Sequence, residues 1–229
     1  MHREHHVTSS ETIRDIVIGM SDGLTVPFAL AAGLSGAVSS STLVVTAGIA
    51  EIVAGSIAMG LGGYLAGRTE VDHYQSELKR EYDEVERVPE QEKAEVKKVF
   101  ADFGLSNHLQ DEIADELAKD KTQWVEFMMR YELGLEEPNA NRATQSAITI
   151  GISYIVGGII PLSPYIIIHE AQEALYYSCG VTIICLFIFG YFKSKMTGQP
   201  ALSGALKVVI IGALAAGAAF IMAKLITGK

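Results

Sequence analysis

The chain has 229 residues, is 49% hydrophobic with a mean hydropathy of +0.26, and is nonetheless 20% charged with a net charge of −9. A soluble domain mixes these classes along its length, whereas here they are segregated. Residues 68–141 hold 20 acidic and 10 basic side chains and the rest of the chain sums to +1. An acidic module is therefore set into an apolar chain, a balance that repels nucleic acid and attracts cations.

The first ten residues are polar and lack the apolar core of a signal peptide. Their His2, His5 and His6 read as part of a disordered tail, binding metal at most adventitiously. Five apolar stretches then reach the roughly 20 residues that cross a bilayer: about Ile13–Ala37, Thr42–Ala66, Thr144–Pro161, Ala174–Phe192 and Ala201–Ile226. Uncharged turns are predicted at Val38–Ser41 and at Pro161–Pro164. Arg3, Arg14, Arg68, Arg142, Lys193 and Lys195 place the N-terminus, the acidic module and the Lys193 loop in the cytosol by the positive-inside rule. Five spans then leave the C-terminus on the far side, against the mild objection of Lys224 and Lys229. The two cysteines, Cys179 and Cys185, lie in an apolar run without metal-site spacing and read as packing residues.

The fold class expected is all-α, a polytopic membrane protein of five transmembrane helices with a cytosolic helical insert. The division expected is residues 1–67 for the tail and first two spans, 68–140 for the insert, which continues the second span, and 141–229 for the last three. Within the insert, Pro89 ends the long helix. Helices are predicted at about Glu90–Phe103, Asn107–Lys119 (capped by Ser106) and Lys121–Leu133, with Gly104 and Gly134 as stops.

Some carboxylates fall on the wrong face. On the long helix Tyr74, Leu78, Tyr82 and Val85 form an apolar stripe; Glu81 falls inside it and Glu84 at its edge. On the next helix Val96, Val99 and Phe103 set the stripe, and Glu92 and Glu95 lie along its N-terminal continuation. Glu132 sits one turn from Met128, with Met129 beside them. A carboxylate among apolar groups is costly unless paired or cation-bound. Residues three or four apart share a helix face, so two Glu-x-x-Glu pairs can converge. Thioethers beside them tilt the choice to transition metals rather than Ca²⁺ or Mg²⁺. The alternative is that the methionines fill a core and the glutamates pair with Arg80, Lys93 or Lys97.

Ionisable groups also lie inside the spans, where they are expensive and functional by default. Asp22 is about nine residues into the first span and Glu51 about nine into the second, with Met59 on the Glu51 face through Gly55. Pro27 frees the Gly23 carbonyl from helical bonding. Gly48, Gly55, Gly60, Gly62, Gly63 and Gly67 allow close helix approach. Ile18–Asp22 resembles Ile150–Tyr154, a faint parallel repeat in which Tyr154 answers Asp22. His169, Glu170 and Glu173, where the fourth span begins, read as interfacial capping groups. The single Glu70-Val71-Asp72-His73 motif falls short of the pair a di-metal carboxylate enzyme needs.

The stretch Asp15–Phe28, the stretch from Ala50-Glu51 to Met59-Gly60, and the Glu-rich insert between spans two and three resemble the vacuolar iron transporter family, which includes the yeast calcium-cross-complementer transporters. The resemblance covers nearly the whole chain. It implies a non-enzyme without prosthetic group in the vacuolar membrane, with the C-terminus in the lumen. It also implies a homodimer exchanging cytosolic Fe²⁺ for protons along a path between first and second spans. Asp22, Glu51 and Met59 match the path, and Tyr154, as the repeat counterpart of Asp22, is a further candidate for it. Glu81, Glu84, Glu92, Glu95, Met128, Met129 and Glu132 match the family's cytosolic metal site. Mn²⁺, Co²⁺ and Zn²⁺ are further cargo candidates. A membrane-anchored metal sensor or store without transport is the alternative.

Overall fold

The computed structural model describes residues 9–228, so the tail with His2, His5 and His6 lies outside the described residues. Eight α-helices follow in order: α1 (Ser9–Ala37), α2 (Ser41–Arg87), α3 (Pro89–Asp102), α4 (Asn107–Leu117), α5 (Lys121–Phe127), α6 (Arg142–Ile167), α7 (Ala171–Met196) and α8 (Ala201–Thr227). A π-helical turn, Met128–Glu132, extends α5. Five of the helices are long and apolar enough to cross a membrane. At 47 residues α2 is more than twice the length a bilayer needs. The chain divides into two compact units. Leu65–Ala143 forms one, and the segments on either side form the other.

The membrane unit is a bundle of α1, the first part of α2, and α6 to α8. Its interior is knitted by small residues. A Cβ at Gly23 of α1 would lie 2.4 Å from the Tyr154 carbonyl oxygen of α6, and one at Gly55 of α2 would lie 2.5 Å from the Tyr154 hydroxyl. Tyr154, itself buried, thus lies in a seam between α1 and α2 that glycine alone leaves open. Gly48, Gly60 and Gly63 likewise meet α6, and Gly67 meets Ala143 within the other unit, but Gly62 faces open space and takes no part.

Two boundaries differ from expectation. Pro161 and Pro164 do not make the turn between the third and fourth spans; both lie inside α6, which runs on to Ile167. Pro164 cannot donate to the Ile160 carbonyl, and the Ser163 hydroxyl takes its place at 2.8 Å. Ser178 of α7 also donates to the Pro161 carbonyl at 2.7 Å. Neighbouring hydroxyls therefore carry the helix through its prolines. The turn falls instead at residues 168–170, and α7 starts at Ala171, three residues early. Glu170 holds the N-cap position without a side-chain cap bond, so the capping role expected of it is not seen.

This turn pairs with the one between α1 and α2. The Ser41 N–H donates to the His169 carbonyl (3.1 Å), and the Ala171 N–H donates to the Ser39 carbonyl (2.9 Å). The exchange is reciprocal, each turn donating one N–H to a carbonyl of the other.

The acidic unit holds a core of Val85, Val96, Ala114, Trp124, Val125, Met128 and Met129. Phe100 stacks on Phe127 with centroids 5.3 Å apart. Phe103, expected in the apolar stripe, caps α3 and is 72% exposed. Val88 alone separates α2 from α3, with Pro89 at the first turn of α3, where a missing N–H costs nothing. Ser106 stands at the N-cap of α4 but makes no side-chain cap bond, whereas Asp120 accepts from the Thr122 and Gln123 amides at the start of α5.

Candidate functional site

In the membrane unit Glu51 and Gly23, the residue after Asp22, meet around Tyr154. Its hydroxyl donates to Glu51 Oε1, and the second Glu51 oxygen is buried with no hydrogen-bond partner among the described residues. The backbone of Tyr154 rests against Gly23, the residue after Asp22. Asp22 and Met59 are each half-buried. Three helices thus bring a tyrosine, one carboxylate and the neighbour of a second carboxylate into one seam. The arrangement offers an acceptor oxygen to a cation or a proton, since no protein donor among the described residues satisfies it.

In the acidic unit α2 and α3 form a hairpin that brings their inward carboxylates together. One oxygen from each of Glu81, Glu84 and Glu92 lies within 4.8 Å of the others. Ligands on one ion at about 2.1 Å stand no more than about 4.2 Å apart, so a small side-chain movement would let all three share an ion. Glu81 and Glu92 are each 2% exposed, and each keeps a buried oxygen without a partner. Burial, then the charge of Glu84, raises the Glu81 pKa above the usual carboxylate range. Burial and the charges of Glu95, Glu81, Glu84 and Glu132 push Glu92 up to about 7. Glu132 is also pushed to about 7, by partial burial of its carboxyl, by the charges of Glu95 and Glu81 and by a hydrogen bond with Glu95, although the residue's outer side is exposed. Five carboxylates therefore share one field. Buried carboxylates whose pKa is raised, as at Glu81, Glu92 and Glu132, are groups that a divalent cation would stabilise in the charged form.

The lysines weighed as alternative partners go elsewhere: Lys93 pairs with Asp115 and Lys97 with Asp111, each at 2.7 Å. Arg80 does engage the site. Its guanidinium lies 2.8 Å from Glu77, 3.5 Å from Glu81 and 3.3 Å from Glu84, as a half-exposed counter-ion at the edge of the cluster. Sequence reasoning misses Glu77; it stands one turn before Glu81, and that spacing is the available signal. Met128 and Met129 are buried in the core. They sit in the π-helical turn, where the Leu133 N–H reaches back five residues to the Met128 carbonyl (3.1 Å).

Residues 13–224 match the family model described as the VIT family. The chain belongs to the VIT family. A relative named vacuolar iron transporter 1 from Oryza sativa subsp. japonica is 53% identical over 223 residues, covering 97% of this chain and 88% of that protein. The protein of the same name from Arabidopsis thaliana is 53% identical over 225 residues, covering 98% and 90%. Protein CCC1 of Saccharomyces cerevisiae is 41% identical over 227 residues, covering 93% and 69%. The resemblance read from the sequence thus holds across nearly the whole VIT-family chain. The plant relatives carry the names of transporters rather than enzymes, in line with the expectation of a non-enzyme.

Proposed function

We propose that this chain is a vacuolar-membrane transporter that moves Fe²⁺ from cytosol to vacuole in exchange for protons, with Mn²⁺, Co²⁺ and Zn²⁺ as further cargo. The observation that carries the reading is Glu51: one oxygen is bonded by Tyr154 and the other is buried without a partner among the described residues. Such an oxygen in a membrane bundle is costly unless a cation or a proton completes it. The two compete for the same lone pair, so protonation releases the cation, which is the sign an exchanger needs. The names of the plant relatives supply iron and the vacuole.

Asp22 and Met59 form the rest of the path, with the Gly23 carbonyl freed by Pro27 at hand. Both side chains are half-buried in the single chain. A carboxylate left facing lipid is costly, and a second copy of the chain against α1 and α2 would enclose it; a homodimer with two Asp22 and two Met59 about its axis is the arrangement this favours. The N-terminus and residues 68–140 lie in the cytosol and the C-terminus in the lumen. In the cytosolic unit Glu81, Glu84, Glu92, Glu95 and Glu132 collect the ion, and the sulfur atoms of Met128 and Met129 favour a transition metal over Ca²⁺.

Uptake of Fe²⁺ into proteoliposomes with an acidic interior, with internal pH recorded, tests this. Uptake coupled to proton exit, lost in Asp22→Ala, is the expected result. Uptake without proton movement would make the protein a uniporter. A second reading, a membrane-anchored metal store or sensor, draws on the convergence of Glu81, Glu84 and Glu92 within the acidic unit alone. Metal bound by the full chain without uptake would establish it instead.

A further inference from the structure

A cavity in the membrane unit lies away from Glu51 and Tyr154. It has a volume of about 490 Å³ and opens between the second half of α1, the first half of α7 and the second half of α8. Phe28, Leu175, Ala216 and Phe220 make its walls. Its rim is different: Gln172 and Tyr176 stand on one side and Lys224 on the other. The Lys224 ammonium lies 5.2 Å from the centroid of the Phe220 ring, and it forms no ion pair among the described residues.

The shape restricts the occupant. A helix is about 10 Å across, so on the order of one turn would fill this volume, and neither a second copy's helix nor another subunit's span fits inside. The walls are apolar and lie along membrane-crossing helices, which suits a hydrocarbon chain. The mouth carries an ammonium without a carboxylate partner among the described residues, next to an amide and a phenol that donate hydrogen bonds, which suits an anionic phosphate. We propose that this groove binds one phospholipid with an anionic headgroup, an acyl chain lying against Phe28 and Phe220 and the phosphate held at the rim by Lys224 and Gln172. The site goes beyond the proposed transport function and does not depend on it or on which leaflet the rim faces.

The groove also explains why a lysine stands at the end of so apolar a helix as α8. The plain alternative is that Lys224 extends to the water and binds no particular lipid. Native mass spectrometry separates the two. The full-length protein, purified in neutral detergent, is offered equal amounts of phosphatidylglycerol and phosphatidylcholine with identical chains, and single-lipid adducts are compared. Wild type is expected to retain phosphatidylglycerol about fivefold over phosphatidylcholine, the scale of one lysine at an anionic headgroup. Lys224→Gln should bring that ratio to about one while lipid is still retained. Gly217→Leu should lose both adducts, because a side chain there enters open space in the groove without a clash. An unchanged melting curve for each variant shows that the bundle is intact. A wild-type ratio near one, an unchanged ratio in Lys224→Gln, or full lipid retention in Gly217→Leu overturns the proposal.

Discussion

The two carboxylate sets of this chain are built on opposite plans. In the membrane unit the acids are sparse: Glu51 stands on α2 with one tyrosine for company, in a seam that glycines keep narrow. In the acidic unit they are crowded: five carboxylates share a field, with Arg80 spread along one edge. A lone carboxylate in a bundle is made cation-ready by the absence of any other partner. A crowded one is made so by burial and then by its neighbours' charge, which together push Glu92 and Glu132 to about 7. On the proposed reading, the first plan gives a site that one ion or one proton occupies at a time. On the same reading, the second gives a site whose metal affinity depends on pH.

The comparison breaks most visibly at Glu51. Glu51→Ala should reduce Fe²⁺ uptake in proteoliposomes to the level of protein-free vesicles, while metal binding by the acidic unit of the same protein, followed by calorimetry, is unchanged. Loss of both would mean that the two sets are one site. Next in size, Glu92→Ala in the full chain should weaken metal binding by about 100-fold, at the upper end of effects seen when a ligand's support is removed. Because one buried charge is gone, the metal-free protein should gain thermal stability at pH 8.

Acidification sharpens the same contrast. With a ligand at a pKa of about 7, lowering the pH from about 8 to about 6 should weaken metal binding about tenfold through proton competition. The stability of the metal-free acidic unit runs the other way. Glu92 and Glu132 titrate higher in the folded chain than in the unfolded one, so their contribution is complete below the unfolded carboxylate range and is lost as pH rises through about 7. A melting temperature that climbs between pH 6 and 8 without metal would contradict this. Tyr154→Phe removes the hydrogen bond to Glu51 and should slow transport about tenfold. The smallest effect is expected at Arg80. Arg80→Gln should tighten metal binding roughly threefold at low salt, because a half-exposed counter-ion no longer competes, and the gain should vanish at high ionic strength.

Much of this was legible in the sequence because its segregation of charge is coarse and its helices are long. Helical periodicity alone puts Glu81 inside an apolar stripe and Glu84 at its edge, which is where they lie. The features that stayed hidden depend on contacts between elements. Nothing local says that Ser163 and Ser178 will satisfy the carbonyls around Pro161 and Pro164, so two prolines read as a turn. The Tyr154–Glu51 bond joins residues 103 apart, and only the clearance at Gly55 admits it. Phe103 follows the apolar period but falls after the last turn of α3, where no partner remains. Arg80 reads from the sequence as a possible partner, yet its reach over three glutamates at once needs the full side-chain geometry.

The π-helical turn at Met128–Glu132 makes the shape of this region sensitive to its length. A wide turn amounts to one residue inserted into an otherwise regular helix. Removing any single residue between Met128 and Glu132 would let the α-helix run through and rotate the downstream residues by about 100°. Glu132 would swing away from Glu95, though hardly a residue type had been lost. Here the count of residues carries information that their identities do not, and single-residue deletions should be far less well accepted in this turn than substitutions at its exposed Tyr131.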